Sequence, residues 1–317
     1  MSDIAADTTP NVIPAPVIRR MTPDDLPVVC EIDRATFETY RRQHRQLARP
    51  LRLRTPENMD AAFNRPYPGV VIESPPGRIA GYCFTHVWGD LGWLGTLGVT
   101  PPKQGFGLGR RVIAAGLDLL RGAGCTTFAL ETMPESGKNL ALYTTLDLEP
   151  RQMTLLCQGN PPTIREQSYG WWMGGDELRT ITEQLVPGLD PTPAATWLAQ
   201  EESGDTLVWY DGPDPVAFAA LRYAPRRLES ASLHIVIEVA ACLPRAIQHW
   251  PRFLGEMQYY ARMKGQSGLV MPINARQIDL LRATLDAGYQ IVHTRVRMVN
   301  GIALGAPDAY LMMTLAI

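Results

Sequence analysis

A segment rich in proline and glycine, LGVTPPKQGFGLG at residues 97–109, constrains the fold and function of this chain more than any other. Glycines at every second position, Gly105, Gly107 and Gly109, allow backbone conformations that are closed to other residues. Apolar residues at helical spacing in residues 110–121 predict an amphipathic helix directly after them. Such a backbone in front of a helix N-terminus can turn several amide N–H groups toward one point, where a phosphate-like anion binds. The alternative is a loop that only turns a corner between a strand and a helix.

The spacing of the three glycines separates the known kinds of phosphate-binding loop. A dinucleotide-binding loop has the pattern G-x-G-x-x-G, whereas this chain has G-x-G-x-G. A P-loop ends in Gly-Lys-Ser/Thr, whereas Gly109 is followed by Arg110 and Arg111. The segment VTPPKQGFGLG, residues 99–109, instead resembles the acetyl-CoA signature V-x-P-x-x-[QR]-G-x-G-x-[GA] of the GCN5-related N-acetyltransferase (GNAT) superfamily.

This resemblance implies that the loop and the strand before it bind acetyl-CoA as a cosubstrate. Residues 97–99 would orient the pantetheine arm through backbone hydrogen bonds. The residues expected to bind acetyl-CoA are Leu97, Gly98, Val99, Gln104, Gly105, Phe106, Gly107, Leu108, Gly109, Arg110, Ser136, Asn139 and Tyr143. No metal site is expected, because the cysteines and histidines of the chain are dispersed.

A second stretch, residues 130–150, is similar to the family motif L-E-V-R-x-x-N-x-x-A-x-x-L-Y-x-x-L-G-F. It departs from the motif at Ser136 and Asn139, where Asn and Ala are usual, and its last two motif residues are Asp-Leu instead of Gly-Phe. The resemblance implies that Tyr143 is the general acid that protonates the CoA thiolate, a role within the chemistry of a phenol hydroxyl. The alternative is a tyrosine that only packs on a helix face.

The general base is less clearly marked than the acid. Glu131 occupies the position that serves as base in some ribosomal-protein N-terminal acetyltransferases, and the resemblance makes it a candidate. Another family position for the base holds the apolar Trp93 and Leu94, while His86 and Asp90 just upstream could act through water. The alternative for Glu131 is a carboxylate at a strand end that orders the site or faces solvent.

Length and composition limit the class of protein. The 317 residues suffice for two domains, and the net charge of −2 gives no overall field that would select nucleic acid or an anionic membrane. No apolar run reaches the roughly 18 residues that span a bilayer. Residues 1–16 lack a signal-peptide pattern and are expected to form a disordered leader. Together with five scattered cysteines, these features predict a cytoplasmic protein, monomeric or homodimeric, that binds neither nucleic acid nor membrane.

Secondary-structure signals repeat once along the chain. In residues 17–158 they run strand, helix, hairpin, strand, glycine loop, helix, strand and helix, which is the GNAT order. Residues 159–175 contain prolines and are expected to be a linker. Residues 176–317 give a fainter second copy, with a hairpin of residues 207–210 and 216–223 around a turn at 211–215, and a long helix at residues 244–264. We predict an α/β fold, an α+β mixed sheet flanked by helices, made of two tandem GNAT folds. The alternative is an unrelated second domain.

The second copy lacks the chemical groups of the first. Residues 241–244 (ACLP) stand where the first copy has its glycine loop, and Thr284 stands where the first copy has Tyr143. A domain without the anion-binding loop is not expected to bind CoA in the usual way. We therefore expect this half to be a degenerate scaffold that packs on the first half and walls the acceptor cleft.

The acceptor side carries a basic run. The arginines around His44 are Arg41, Arg42, Arg45, Arg49, Arg52 and Arg54. They could attract an acidic or phosphorylated acceptor, or they could form a solvated helix face. Aromatic residues that could line a pocket, or belong to the core, are Tyr40, Phe63, Tyr67, Phe84 and Trp88.

The sequence thus predicts an acetyl-CoA-dependent N-acetyltransferase whose acceptor is a primary amine of a small molecule or peptide. The amine attacks the thioester directly, and positioning of the two substrates drives the reaction. The alternative function is that of a non-catalytic protein that binds acyl-CoA in regulation or interaction.

Overall fold

The computed structural model describes residues 15–44, 55–56, 67–160, 162–223, 234–301 and 310–313. In these residues, strands form one mixed sheet flanked by helices, which confirms the predicted fold class. The strands are β1 (Val17–Arg20), β2 (Gly69–Glu73), β3 (Ile79–Trp88), β4 (Leu91–Val99), β5 (Thr127–Thr132), β6 (Glu149–Gly159), β7 (Tyr169–Trp171), β8 (Gly204–Asp211), β9 (Asp214–Arg222), β10 (His234–Cys242), β11 (Gly268–Asn274), β12 (Gln290–Asn300) and β13 (Tyr310–Met313). The helices are α1 (Leu26–Gln43), α2 (Leu108–Gly122), α3 (Gly137–Thr144), α4 (Glu177–Leu185), α5 (Thr192–Gln200), α6 (Trp250–Met263) and α7 (Ile278–Asp286).

The first half begins with a strand and a helix, as its sequence predicts. Thr22 precedes a short 3-10 helix, Pro23–Asp25, that continues directly into α1. The Asp25 carboxylate accepts a hydrogen bond from the Thr22 amide at 2.7 Å and two from the Arg19 guanidinium at 2.7 and 2.8 Å. The hydrogen bonds from Arg19 lower the pKa of Asp25, although burial opposes them. This ion pair fixes the entry of α1, which packs on β3 and β4.

The two halves exchange a strand in the middle of the sheet. The strand order is β1-β2-β3-β4-β5-β12-β6-β11-β10-β9-β8-β7, and β13 pairs with β10 outside this path. Strand β12 comes from the second half but lies between β5 and β6 of the first, and β6 in turn pairs with β11 of the second. Each half-sheet is therefore completed by a strand of the other half.

The second half follows the predicted order, with additions. Its hairpin is β8–β9, and the long predicted helix is a 3-10 turn, Pro244–His249, followed by α6. Strand β7 lies within the predicted linker and forms an edge of the sheet. Helices α4 and α5 pack on β8, β9 and β10, and the sequence pattern did not predict them. The domain boundaries at residues 158 and 176 stay a prediction.

Among the described residues, no helix has the length and hydropathy needed to cross a membrane. The same residues contain no group of three or more His, Cys, Asp or Glu side chains arranged to hold a metal ion.

Candidate active site

A cleft opens where two parallel strands of the first half diverge. Strands β4 and β5 pair only at residues 91–93 and 127–129. Beyond this short ladder the strands separate, and a cavity of about 570 Å³ lies between residues 94–99 and residues 130–133. On the edges away from the cleft, β4 pairs with β3 and β5 pairs with β12. The opening is therefore a feature of the sheet itself.

A β-bulge shapes one wall of this cleft. In the pairing of β3 with β4, Cys83 lies opposite Leu97 and Thr85 lies opposite Leu94, so two residues of β4 face one residue of β3. The two residues of the bulge, Gly95 and Thr96, line the cleft. A bulge bends its strand and redirects the backbone, here toward the cavity.

The glycine loop lies at the N-terminus of α2, as predicted. Gly105 and Gly107 have φ angles of 86° and 77°, in the left-handed region that favours glycine. Gly107 is the N-cap of α2, and a Cβ at either glycine would meet no atom within 4 Å. The side-chain amide of Gln104 donates from Nε2 to the Val99 carbonyl at 2.9 Å, which ties the loop to the end of β4. The loop is therefore open on the side that faces the cleft.

Most residues expected to bind acetyl-CoA line this cleft. They are Leu97, Gly98, Val99, Gln104, Gly105, Gly107, Gly109, Arg110, Asn139 and Tyr143. The three others are placed differently: Phe106 is exposed, Leu108 is buried in the core, and Ser136 is the buried N-cap of α3.

Tyr143 lies on α3, buried against the core with its side chain in the cleft wall. Burial raises the pKa of its hydroxyl above the ordinary value, and a hydrogen bond with Thr132 offsets this only in part. The phenol therefore keeps its proton throughout the physiological pH range, which a proton donor requires.

Glu131 faces the same cleft but is held in a buried ion-pair network. Arg297 donates to Glu131 Oε1 from Nη2 at 2.8 Å and from Nε at 3.1 Å, and Thr154 donates from its hydroxyl. Arg295 Nη1 reaches Oε2 at 3.3 Å. Burial alone would raise the pKa of Glu131, but the charges of Arg297 and Arg295 outweigh it, so the pKa lies below the ordinary value. A carboxylate held in this way is a weak proton acceptor.

The other candidates for the base do not themselves line the cleft. His86 is buried, and its Nε2 lies 2.8 Å from the Gly95 carbonyl oxygen at the bulge. Asp90 is in the turn between β3 and β4, where its backbone carbonyl accepts bonds from the amides of Thr126 and Thr127. Neither is among the described residues that line the cavity.

The predicted acceptor side is only partly described. The predicted residues outside the described part of the chain are Arg45, Arg49, Arg52, Arg54 and Phe63. Arg41 and Arg42 are in the last turn of α1. Tyr40 lines the cleft, whereas Phe84 and Trp88 belong to the core, which corrects the pocket interpretation for these two residues. Tyr67 is half-buried and is not among the described lining residues.

No sequence motif marks Arg295 and Arg297 as residues of this site. They reach the site because β12 pairs with β5, where Arg297 lies opposite Glu131. An alternating pattern there can indicate a strand, but it does not show which strand is the partner. Arg297 and Glu131 are 166 residues apart in the chain.

Part of the chain resembles a known family in sequence, and the whole chain resembles solved structures in fold. Residues 29–147 match the sequence model of the acetyltransferase (GNAT) family. No curated protein matches the chain in sequence.

Several solved structures share the fold over nearly the whole chain. A proposed acetyltransferase from Pyrococcus horikoshii is 16% identical with a TM-score of 0.69, covering 95% of both chains. A GCN5-related N-acetyltransferase from Sphaerobacter thermophilus is 16% identical with a TM-score of 0.54, covering 92% of this chain and 97% of that one. A tandem GNAT protein of the clavulanic acid biosynthesis pathway is 12% identical with a TM-score of 0.57, covering 92% of this chain and all of that one. Residues 29–147 thus match the acetyltransferase (GNAT) family, and the whole chain shares the fold of GNAT structures, a tandem GNAT protein among them.

Proposed function

We propose that this protein is an acetyl-CoA-dependent N-acetyltransferase that acts on a primary amine of a small molecule or peptide. One observation carries the proposal: a single cleft is lined by the glycine loop, by residues 97–99 of β4 and by Tyr143. An anion site, a strand edge and a proton donor therefore face one cavity.

The loop fits the pyrophosphate of acetyl-CoA. Gly105 and Gly107 leave open space where any other residue would place a Cβ, so a ligand can approach the backbone closely. The N-terminus of α2 favours negative charge at this point. Arg110, in the cleft wall, adds a positive charge and is held by a 2.9 Å hydrogen bond to Thr145.

Acetyl-CoA, when bound, supplies the acetyl thioester. The cleft walls hold the amine in its neutral form against the acetyl carbon, and excluding water favours that form. A nitrogen–carbon bond forms, the carbon–sulfur bond breaks, and the electron pair of that bond leaves with the sulfur. Tyr143 donates its proton to this sulfur, and the proton lost by nitrogen passes to solvent or to a neighbouring base.

For Glu131, the contacts favour an ordering role over that of the base. Its charge is matched by the guanidinium groups of Arg297 and Arg295. Protonating this carboxylate during each turnover would break a buried ion pair, which is costly. We propose that Glu131 positions Arg295 in the cleft wall.

The non-catalytic acyl-CoA-binding function remains the second candidate. The described carboxylates along the cavity favour it, because none is free to act as general base. Glu131 is the only carboxylate among the described lining residues, and it is paired with Arg297. A protein of that kind would bind acetyl-CoA and acetylate no amine.

Replacing Tyr143 by Phe tests the proposal. We expect turnover to fall about 100-fold or more, because general acid catalysis contributes on that order, while acetyl-CoA still binds. Thiol release with a panel of amines measures the first effect, and calorimetry measures the second. Tyr289→Phe in the second half is the matched control, since that hydroxyl is also buried and has no hydrogen-bond partner among the described residues.

Two outcomes would contradict the proposal. Wild-type turnover in Tyr143→Phe would exclude Tyr143 as the proton donor. Binding of acetyl-CoA by the wild type without acetylation of any amine would favour the non-catalytic function.

A further inference from the structure

The cleft is lined by residues from both faces of the sheet. Along β3, Cys83 packs in the core beneath α2, whereas Tyr82 and Phe84 pack in the core beneath α1. Successive residues of a strand point to opposite faces, so α1 and α2 cover opposite faces of the sheet. The glycine loop leads into α2, and Tyr143 packs in the same core as α2. The anion site and the proton donor therefore belong to the α2 face, which leaves the α1 face for the acceptor.

Carbon-rich side chains line the cavity on the α1 face. Leu94 and Leu130 pack beneath α2, so the alternation along β4 and β5 turns Trp93 and Met133 toward the other face. Two residues of α1 lie on this face as well. The apolar and aromatic lining residues of the α1 face are Phe37, Tyr40, Trp93 and Met133. Phe37, Tyr40 and Met133 are only half-buried, so each keeps surface that a ligand could cover.

The charged side chains of this wall are already bound to protein groups. Arg297 donates to the Glu131 carboxylate at 2.8 and 3.1 Å, and Arg295 Nη1 contacts it at 3.3 Å. An ionic group on the acceptor would have to compete with these contacts. Arg41 and Arg42, the described part of the basic run, are not among the described residues that line the cavity. The wall therefore favours an uncharged partner, because a charge placed there would lose its hydration without gaining a free counter-ion.

Tyr40 adds a neutral end to this wall. Burial raises the pKa of its hydroxyl, and the Glu135 carboxylate, between β5 and α3, raises it further. The phenol is therefore uncharged at physiological pH. Its ring lies 4.3 Å from the ring of His44, measured between centroids, so two rings stack at the end of α1.

We propose that the acceptor is a small primary amine with an apolar alkyl or arylalkyl body, which packs against Phe37, Tyr40 and Met133. This inference rests on the proposed function. Burying the apolar body supplies binding free energy without a charged partner. A peptide N-terminus is less suited, because its amide groups would be buried against carbon-rich side chains.

Amines of equal size test this proposal. Hexylamine and 5-amino-1-pentanol have the same number of heavy atoms and differ in whether the far end is a methyl or a hydroxyl group. For the wild type we expect kcat/KM to be about tenfold higher for hexylamine, since burying a hydroxyl without a partner is costly. From ethylamine to hexylamine, kcat/KM should rise about fourfold per methylene, the usual worth of burying one. The dipeptide leucyl-glycinamide, compared per fraction of neutral amine, should be a poorer acceptor than hexylamine.

Substitutions at Met133 separate contact with the acceptor from a merely structural role. Met133→Gln puts an amide of similar size in the wall, and the ratio of hexylamine to 5-amino-1-pentanol should fall about threefold or more. A general loss of structure would lower both rates and leave the ratio unchanged. Met133→Leu should keep the ratio, because the wall stays apolar. Met173→Gln is the matched control, since Met173 is 89% exposed and is not among the described lining residues. Thermal unfolding and acetyl-CoA binding establish that each variant is folded.

Each result counts for or against the inference. It is overturned, while the acetyltransferase function stands, if the wild type acetylates 5-amino-1-pentanol or the dipeptide as well as hexylamine. The same holds if the ratio in Met133→Gln equals that of the wild type. If the wild type binds acetyl-CoA but acetylates none of these amines and no other, the proposed function fails, and the inference fails with it.

Discussion

The two halves contain the same opening in the sheet, and only one half leaves it open. In the first half β4 and β5 pair at residues 91–93 and then diverge around the cleft. In the second half β10 and β11 pair at residues 234–236 and then diverge as well. There β13 pairs with β10 at residues 239–242 and packs on β11, so it fills the gap.

The difference shows what an open pair of strands requires. Diverging strands leave backbone groups and apolar side chains without partners, which is costly unless a ligand or another segment covers them. The first half has a glycine loop and a helix N-terminus that suit a ligand. The second half has the segment ACLP there, and all four residues of β13 are buried in its gap. The half without the glycine loop is closed by its own chain.

The two openings are also physically linked through Arg297. Its guanidinium contacts Glu131 in the first half and donates to the Met313 carbonyl of β13 at 2.8 Å. It also lies 5.2 Å from the centre of the Trp93 ring. One buried side chain therefore joins the open cleft, the exchanged strand β12 and the strand that closes the second half.

The largest effect is expected from breaking this link. Arg297→Met should lower the free energy of unfolding by about 3–5 kcal/mol, because it leaves the Glu131 carboxylate buried without its main counter-ion. Chemical denaturation measures the change. Arg121→Met is the matched control, since its partner Asp118 is exposed and such surface pairs contribute about 0–1 kcal/mol.

The pH dependence of Arg297→Met gives a second readout. In the wild type the folded-state pKa of Glu131 lies below that of the unfolded chain. The ion pair therefore stabilises the protein above the unfolded pKa of about 4.3, and this stability is lost as the pH falls through the folded pKa. The difference between wild type and variant should be largest near neutral pH and shrink on acidification. A difference that stays constant across this range would contradict the assignment of Arg297 as counter-ion.

A smaller effect is expected from weakening the strand that closes the second half. Met312 in β13 is 1% exposed within the core. Met312→Ala should lower the free energy of unfolding by about 2–5 kcal/mol through lost burial and the cavity left behind. Met263→Ala, at an exposed position of α6, is the matched control. Calorimetric titration should still give one acetyl-CoA per chain, and a second site in Met312→Ala would show that β13 alone blocks binding there.

The contrast between the halves also separates what the sequence could predict from what it could not. The glycine loop and Tyr143 are in short contiguous motifs, because the geometry of an anion site is set by neighbouring residues. These motifs predicted the fold class and residues that the structure brings to one cleft. Tyr40 is also in that wall, but the sequence could not separate it from the core residues Phe84 and Trp88.

The exchanged and closing strands depend on pairing over long distances in the chain. Arg297 pairs with Glu131 across 166 residues, and an alternating strand pattern does not reveal which strand it joins. Strand β13 is four residues long and follows residues outside the described chain, so its periodicity carries little information. The sequence could not predict the role of Glu131 for the same reason, since the pKa of its carboxylate depends on arginines of the other half.

The smallest effect is expected at the glycine loop, which distinguishes the open half from the closed one. Gly107→Glu should weaken acetyl-CoA binding about tenfold or more, because a carboxylate beside the N-terminus of α2 repels the pyrophosphate. Gly212→Glu, in the turn between β8 and β9, is matched: both glycines have positive φ, at 77° and 60°, and open space around the added Cβ. Each variant should therefore lose about 1 kcal/mol of folding stability. Only Gly107→Glu should lose affinity for acetyl-CoA, which calorimetry measures. Equal affinities in the two variants would mean that the loop is only a turn, and the comparison between an open and a closed half would lose its chemical basis.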